Sequence, residues 1–155
     1  MFKVSLFSSS LTVGGNAPDF TLNDQSGKQH SLENYKGKKL VIYFFPKAFT
    51  PGWTKQACGL RDNYTSFIEN GISILGVSYD SESQLAGFKE KYNLEFDLLS
   101  DTDKIMGKLY DVNSFYFFPQ RKTFLINEKG VLVHVMNSVN INNHAEDILA
   151  IFKKI

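Results

Sequence analysis

Two stretches limit what this chain can fold into: "KKLVIYFF" (residues 38–45) and "GISILGVS" (residues 71–78). Both are apolar, β-branched and aromatic runs of strand length. A strand with one wet face alternates apolar with polar residues. Runs without that alternation suit central strands covered on both faces. Between them Ala57, Leu60, Tyr64, Phe67 and Ile68 recur at helical spacing, which predicts an amphipathic helix burying that face. A strand, a helix and a second buried strand make the start of an α/β sheet.

The rest of the chain extends the pattern. Residues 81–92 carry Leu85, Phe88 and Tyr92 on one helical face. "KTFLINEKGVLVHV" reads as strand, turn and strand, with Glu128-Lys129-Gly130 at the turn. From His144 onward a final helix should bury Ile148, Ile151 and Phe152. The expected architecture is one α/β sandwich domain around a mixed sheet, and 155 residues at 43% hydrophobic content give it an adequate core.

Composition excludes several function classes. A net charge of +1 with scattered lysines offers no basic patch for nucleic acid or an anionic membrane surface. No apolar run approaches a membrane span. The start, "MFKVSLFSSSLTVGG", has a short apolar stretch broken by serines, so residues 1–12 read as an extension ahead of a domain at 13–155 rather than as a cleaved signal. A single cysteine, Cys58, excludes an intrachain disulfide and fits a reducing, cytoplasmic setting. His30, His134 and His144 lie far apart without ligand spacing, so core or surface histidines are expected and no metal or other cofactor is. There is no Cys-x-x-Cys and no glycine-rich phosphate loop. The aromatic run "SFYFFPQR" (residues 114–121) is expected to pack, with a pocket wall or a contact surface as the alternatives.

The segment between the two strands carries the chemistry. In "FFPKAFTPGWTKQACGLRD" a buried strand ends at Phe45, Pro46 stops it, and Pro51-Gly52 precedes a helix. A strand-to-helix turn aims free N–H groups and the positive dipole end at the first helical turn, a place suited to an anion such as a thiolate. Thr50 either caps that helix or supplies a hydroxyl to a bound oxygen. This stretch resembles the signature of the peroxiredoxins, in particular their bacterioferritin-comigratory (Q-type) branch, and the similarity extends over nearly the whole chain. The signature is Pro, three residues, Thr, two residues and the peroxidatic Cys. Here Pro46, Thr50 and position 53 reproduce that spacing within "TPGWTKQACGLRD". Only two arginines stand among seventeen basic residues, and both, Arg61 and Arg121, fall at motif positions.

The resemblance implies a thioredoxin-like fold: a central mixed β-sheet flanked by helices, with an N-terminal β-hairpin. It also implies a monomeric thiol peroxidase acting on hydroperoxides and restored by a thioredoxin-like reductant. Arg121 would stabilise the thiolate, Thr50 would hydrogen-bond the peroxide, Pro46 would shield the site, and Cys58 would stand at the resolving position. Trp53 departs from this scheme at its first step, because indole is no nucleophile toward peroxide. Its bulk would fill the peroxide pocket or push the helix start outward. Stacking on Arg121 would offset part of that guanidinium's lost anionic partner. Cys58 lies beyond the turn in which the helix dipole acts. The expectation is a chain of peroxidase descent that lacks the activity, with a non-catalytic binding or scaffold protein on the same fold as the alternative.

Overall fold

Strand β3 (Lys39–Phe44) is the axis of the molecule, and its side chains alternate between two separate cores. Val41 and Tyr43, with Phe45 just beyond, enter one hydrophobic cluster; Leu40, Ile42 and Phe44 enter the other. All six are buried, at 1% exposure or less, which is why the sequence shows no polar alternation here.

The computed structural model describes residues 11–114 and 117–155. Most of the expected extension at 1–12, and Phe115 and Tyr116 of the aromatic run, therefore lie outside the described residues. A two-stranded hairpin, β1 (Thr21–Asn23) and β2 (Gln29–Ser31), comes first. A 3₁₀ turn (Leu32–Tyr35) leads from it into β3. Beyond β3 come α1 (Pro51–Asp62), α2 (Tyr64–Glu69), β4 (Ile72–Ser78), α3 (Glu82–Tyr92), β5 (Asp97–Ser100), α4 (Ile105–Leu109), β6 (Thr123–Ile126), β7 (Leu132–Met136) and α5 (His144–Lys154). The main sheet has the order β5-β4-β3-β6-β7. β3, β4 and β5 run parallel, while β6 and β7 are antiparallel to their neighbours. The expected mixed sheet, flanking helices and N-terminal hairpin are all present.

Local sequence accounts for several boundaries. Ser81 starts α3 with a capping box: its hydroxyl accepts from Gln84 N, while the Gln84 side chain accepts from Ser81 N. The β6–β7 turn closes by a bond from Gly130 N to Asn127 O, with Gly130 at φ 80°. One expectation fails. The single helix predicted between β3 and β4 is two helices, broken at Asn63 (φ −104°, ψ 10°), whose side chain donates to Gly59 O at 2.8 Å. The break ends the register of the first helix. Ala57, Leu60 and Phe67 are buried and Tyr64 packs partly, but Ile68 is exposed. The short elements β5 and α4 carry too few residues to show a period.

Candidate functional site

The site lies where β3 hands over to α1. Phe45 still bonds to β4, its N donating to Val77 O at 3.0 Å, and half-buried Pro46 then turns the chain. The loop is pinned by the buried Asp80 carboxylate, which accepts from Ala48 N at 2.8 Å and from the Ser78 hydroxyl at 2.7 Å. Thr50 is the N-cap residue of α1 by position, and Thr54 N donates to its carbonyl at 2.9 Å. Its side chain makes no cap bond; the hydroxyl donates to Lys47 O at 2.8 Å. Capping by the Thr50 hydroxyl is therefore not what the fold uses.

Helical geometry divides the start of α1 into faces. Residues four apart share a side, so Trp53 and Ala57, continued by Leu60, point one way while Gly52 and Gln56 point another. The first set is fully buried in the core. The second meets Arg121, which sits just before β6. A Cβ on Gly52 would lie 3.2 Å from Arg121 Nη2, so the guanidinium lies close against the first helical turn, and a side chain at 52 would press it back by a few tenths of an ångström. Arg121 Nη1 donates to Gln56 Oε1. Gln56 Nε2 meets His144 Nδ1 at 3.0 Å, and His144 Nε2 meets Thr123 Oγ1 at 2.9 Å. Burial lowers the pKa of both ionisable members. For His144, desolvation, with a smaller contribution from the Arg121 charge, brings it down from 6.5 to about 4.

Trp53 is fully buried. Its ring lies face to face with Phe45 (centroids 3.7 Å apart, 5° between planes), with Phe88 at 5.6 Å and Tyr43 at 4.9 Å. The indole is part of the aromatic core, and the first turn of α1 is closed by the Thr54–Thr50 bond. Two buried polar atoms in this aromatic layer, Trp53 Nε1 and the Tyr43 hydroxyl, have no hydrogen-bond partner. The expected stacking of Trp53 on Arg121 does not occur among the described residues; the guanidinium has Gln56 instead.

The remaining expected residues fall around this centre. Cys58 is a free, half-buried thiol on α1. Arg61 ties α1 to the end of α3, Nη1 donating to Tyr92 O at 2.8 Å. The packing expected of the aromatic run fails at Phe117 and Phe118, which are exposed at 89% and 40%. They wall a groove of about 470 Å³ together with Pro46, Lys47 and Tyr79. His134 is half-buried on β7. His30 is gathered with two carboxylates, 2.7 Å from Asp24 Oδ2 and 3.8 Å from Asp97 Oδ2, and its other ring nitrogen meets the Tyr35 hydroxyl at 2.7 Å. This is the one grouping of potential metal ligands among the described residues.

Sequence reading missed Gln56 and Thr123 and gave His144 no role. Gln56 was open to discovery, since it lies one turn beyond Gly52. His144 was not, because its partners are 88 and 21 residues away.

Comparison with known proteins places the chain in a family. Residues 13–135 match the AhpC/TSA family. Peroxiredoxin Bcp of Escherichia coli (strain K12) is 40% identical, over 90% of this chain and 94% of that protein. Peroxiredoxin Bcp of Bacillus subtilis (strain 168) is 38% identical, over 92% and 96%. Among solved structures, peroxidoxin BcpB from Mycobacterium tuberculosis superimposes with a TM-score of 0.86 at 31% identity, covering 92% of this chain and 97% of that one. Fold and sequence agree: the chain belongs to the AhpC/TSA family, among the Bcp and PrxQ peroxiredoxins.

Proposed function

We propose that this chain carries a peroxiredoxin site in which Trp53 stands at the peroxidatic position, and that it does not reduce peroxide as it is. The observation that carries the reading is the indole itself, buried in the aromatic core at the third residue of α1 beside an otherwise furnished site. In a thiol peroxidase of this family the thiolate attacks the terminal peroxide oxygen. The O–O bond breaks, water or alcohol leaves, and a sulfenic acid remains for a second thiol to resolve. Arg121 against the first turn of α1, Thr50 at its N-cap and Pro46 at the mouth are suited to assist that attack. None of them replaces the nucleophile. Cys58 holds the resolving position and has no intrachain partner.

The active form of this site takes a hydroperoxide and a thioredoxin-like reductant, as a monomer in the cytoplasm. Two features are consistent with that setting: the single cysteine, and the lack, among the described residues, of a helix long and apolar enough to cross a membrane. The test is a coupled assay with thioredoxin and its reductase, using hydrogen peroxide and an alkyl hydroperoxide. No turnover is expected. Turnover at the level of an active relative, abolished by Cys58→Ser, would make Cys58 the peroxidatic residue and overturn the proposal.

One observation favours a second reading, a non-catalytic binding or scaffold protein. Phe117 and Phe118 present aromatic surface beside Pro46, where packing was expected.

A further inference from the structure

We infer that His144 is a positioning residue for Arg121, acting through Gln56 as a neutral imidazole that carries its one proton on Nε2. The inference rests on the proposed reading only in giving Arg121 a task; the relay itself follows from donor and acceptor chemistry. A guanidinium has donors and no acceptor. Its contact with the Gln56 side chain must therefore be to Oε1, which fixes which way the amide points. Gln56 Nε2 then faces His144 Nδ1 at 3.0 Å as a donor, so Nδ1 must be bare. The ring proton is left on Nε2, where it donates to Thr123 Oγ1 at 2.9 Å.

Every bond in the chain has one permitted direction. The opposite tautomer, or the imidazolium, would set an N–H against the Gln56 N–H. No solvent is at hand to relieve that clash, because Gln56, Thr123 and His144 are exposed by 2% or less.

The surroundings of the ring reinforce this polarity. α1 offers Gln56, β6 offers Thr123, and β3 offers the edge of Tyr43, with ring centroids 5.9 Å apart. Arg121 adds a positive charge, and His144 is itself the first residue of α5, the end of a helix that disfavours a cation. None of these partners is a carboxylate that would stabilise an imidazolium. Burial and the Arg121 charge both act to keep the ring neutral. Thr123 lies two residues beyond Arg121, so the relay closes on itself through β6 and holds Nη1 while Nη2 lies against Gly52.

The experiment uses the chain as it is. Long-range ¹H–¹⁵N NMR of His144 should show the Nε2–H tautomer at pH 7. Gln56→Glu, which turns the amide donor into an acceptor, should put a proton on Nδ1. Exchange of the Arg121 guanidinium protons should be slow in the parent and about tenfold faster in His144→Phe, the order expected for loosening one bond to a charged group. His144→Gln, which can still accept from Gln56, should restore part of the protection. An Nδ1–H tautomer at pH 7, or guanidinium exchange unchanged in His144→Phe, would overturn the inference. In a Trp53→Cys background, His144→Phe should slow the reaction with peroxide, with no further slowing once Arg121→Ala is present. An equal slowing with and without Arg121 would also refute the positioning role. A Trp53→Cys thiol inert in every background would count against the proposed function and leave the tautomer and exchange results to decide the relay.

Discussion

Replacing Trp53 by cysteine sets stability against reactivity, and the size of each effect can be worked from the contacts. The indole is fully buried, stacked on Phe45 at 3.7 Å and within 6 Å of Phe88 and Tyr43. Truncating a core tryptophan to alanine costs about 3–5 kcal/mol, and a cysteine sulfur recovers a little of that. Against the loss stands the unpartnered Nε1, a buried donor whose removal returns about 1–3 kcal/mol. Trp53→Cys should therefore lower stability by about 1–3 kcal/mol, or about 2–12 °C in Tm for a chain of this size. Trp53→Phe keeps the stack and deletes the orphan donor, so it should lie within about 1 kcal/mol of the parent.

Denaturant unfolding followed by far-ultraviolet circular dichroism is the assay, because the substitution removes the only tryptophan. The new thiol should be readily ionised, since the start of α1 and Arg121 both favour its anion. It should react with one equivalent of peroxide and then form a disulfide with Cys58, seen by mass as a net loss of two hydrogens. Five helical residues rise about 7.5 Å, beyond disulfide reach, so closure requires the first turn of α1 to unwind. A variant more stable than the parent would refute the packing argument. One that folds but stays inert to peroxide would refute the intact site and favour the binding-protein reading.

Two more outcomes follow from the buried groups. His144 titrates near 4 in the folded chain against 6.5 ordinarily, so between those values the unfolded chain holds a proton that the folded chain lacks. Its contribution is fully present above about pH 6.5 and is lost as pH falls through that window. The difference between parent and His144→Phe unfolding free energies should therefore change by on the order of 3 kcal/mol from pH 7 to pH 4; a pH-independent difference would refute a buried neutral ring. Gly76→Ala should destabilise the chain by about 1–3 kcal/mol in the same unfolding assay, because the new Cβ would lie 2.9 Å from Leu98 Cδ2 and from the Tyr43 hydroxyl. A neutral result would mean that the Leu98 and Tyr43 side chains yield to the new methyl group.

The sequence by itself determined the parts whose cause is local. β3 and β4 are visible because a strand buried on both faces has no polar alternation to hide it. The core face of α1 is visible because Ala57 and Leu60 keep helical spacing, and α3 because Leu85, Phe88 and Tyr92 recur on one face. Pro46, Thr50 and Arg121 carried a recognisable family pattern, from which Trp53 departs.

Tertiary structure decided the rest. The stop at Asn63 left Ile68 outside, since a helix ends where its neighbours stop supporting it as much as where its residues do. Thr50 could have capped α1, but the loop offered its hydroxyl the carbonyl of Lys47. The indole had two destinations, and the aromatic layer of Phe45, Phe88 and Tyr43 took it into the core rather than onto Arg121. The relay from Thr123 through His144 and Gln56 to Arg121 had no signal as a connected set, although Arg121 stood in the motif and Gln56 lies one turn beyond Gly52. Its members come from β6, α5, α1 and the loop leading into β6, and they meet only because the sheet sets β6 beside β3 and packs α1 and α5 together on one face. Hydrogen-bond direction can be deduced once donors face acceptors, but no periodicity in a chain records which side chains will face each other across a core.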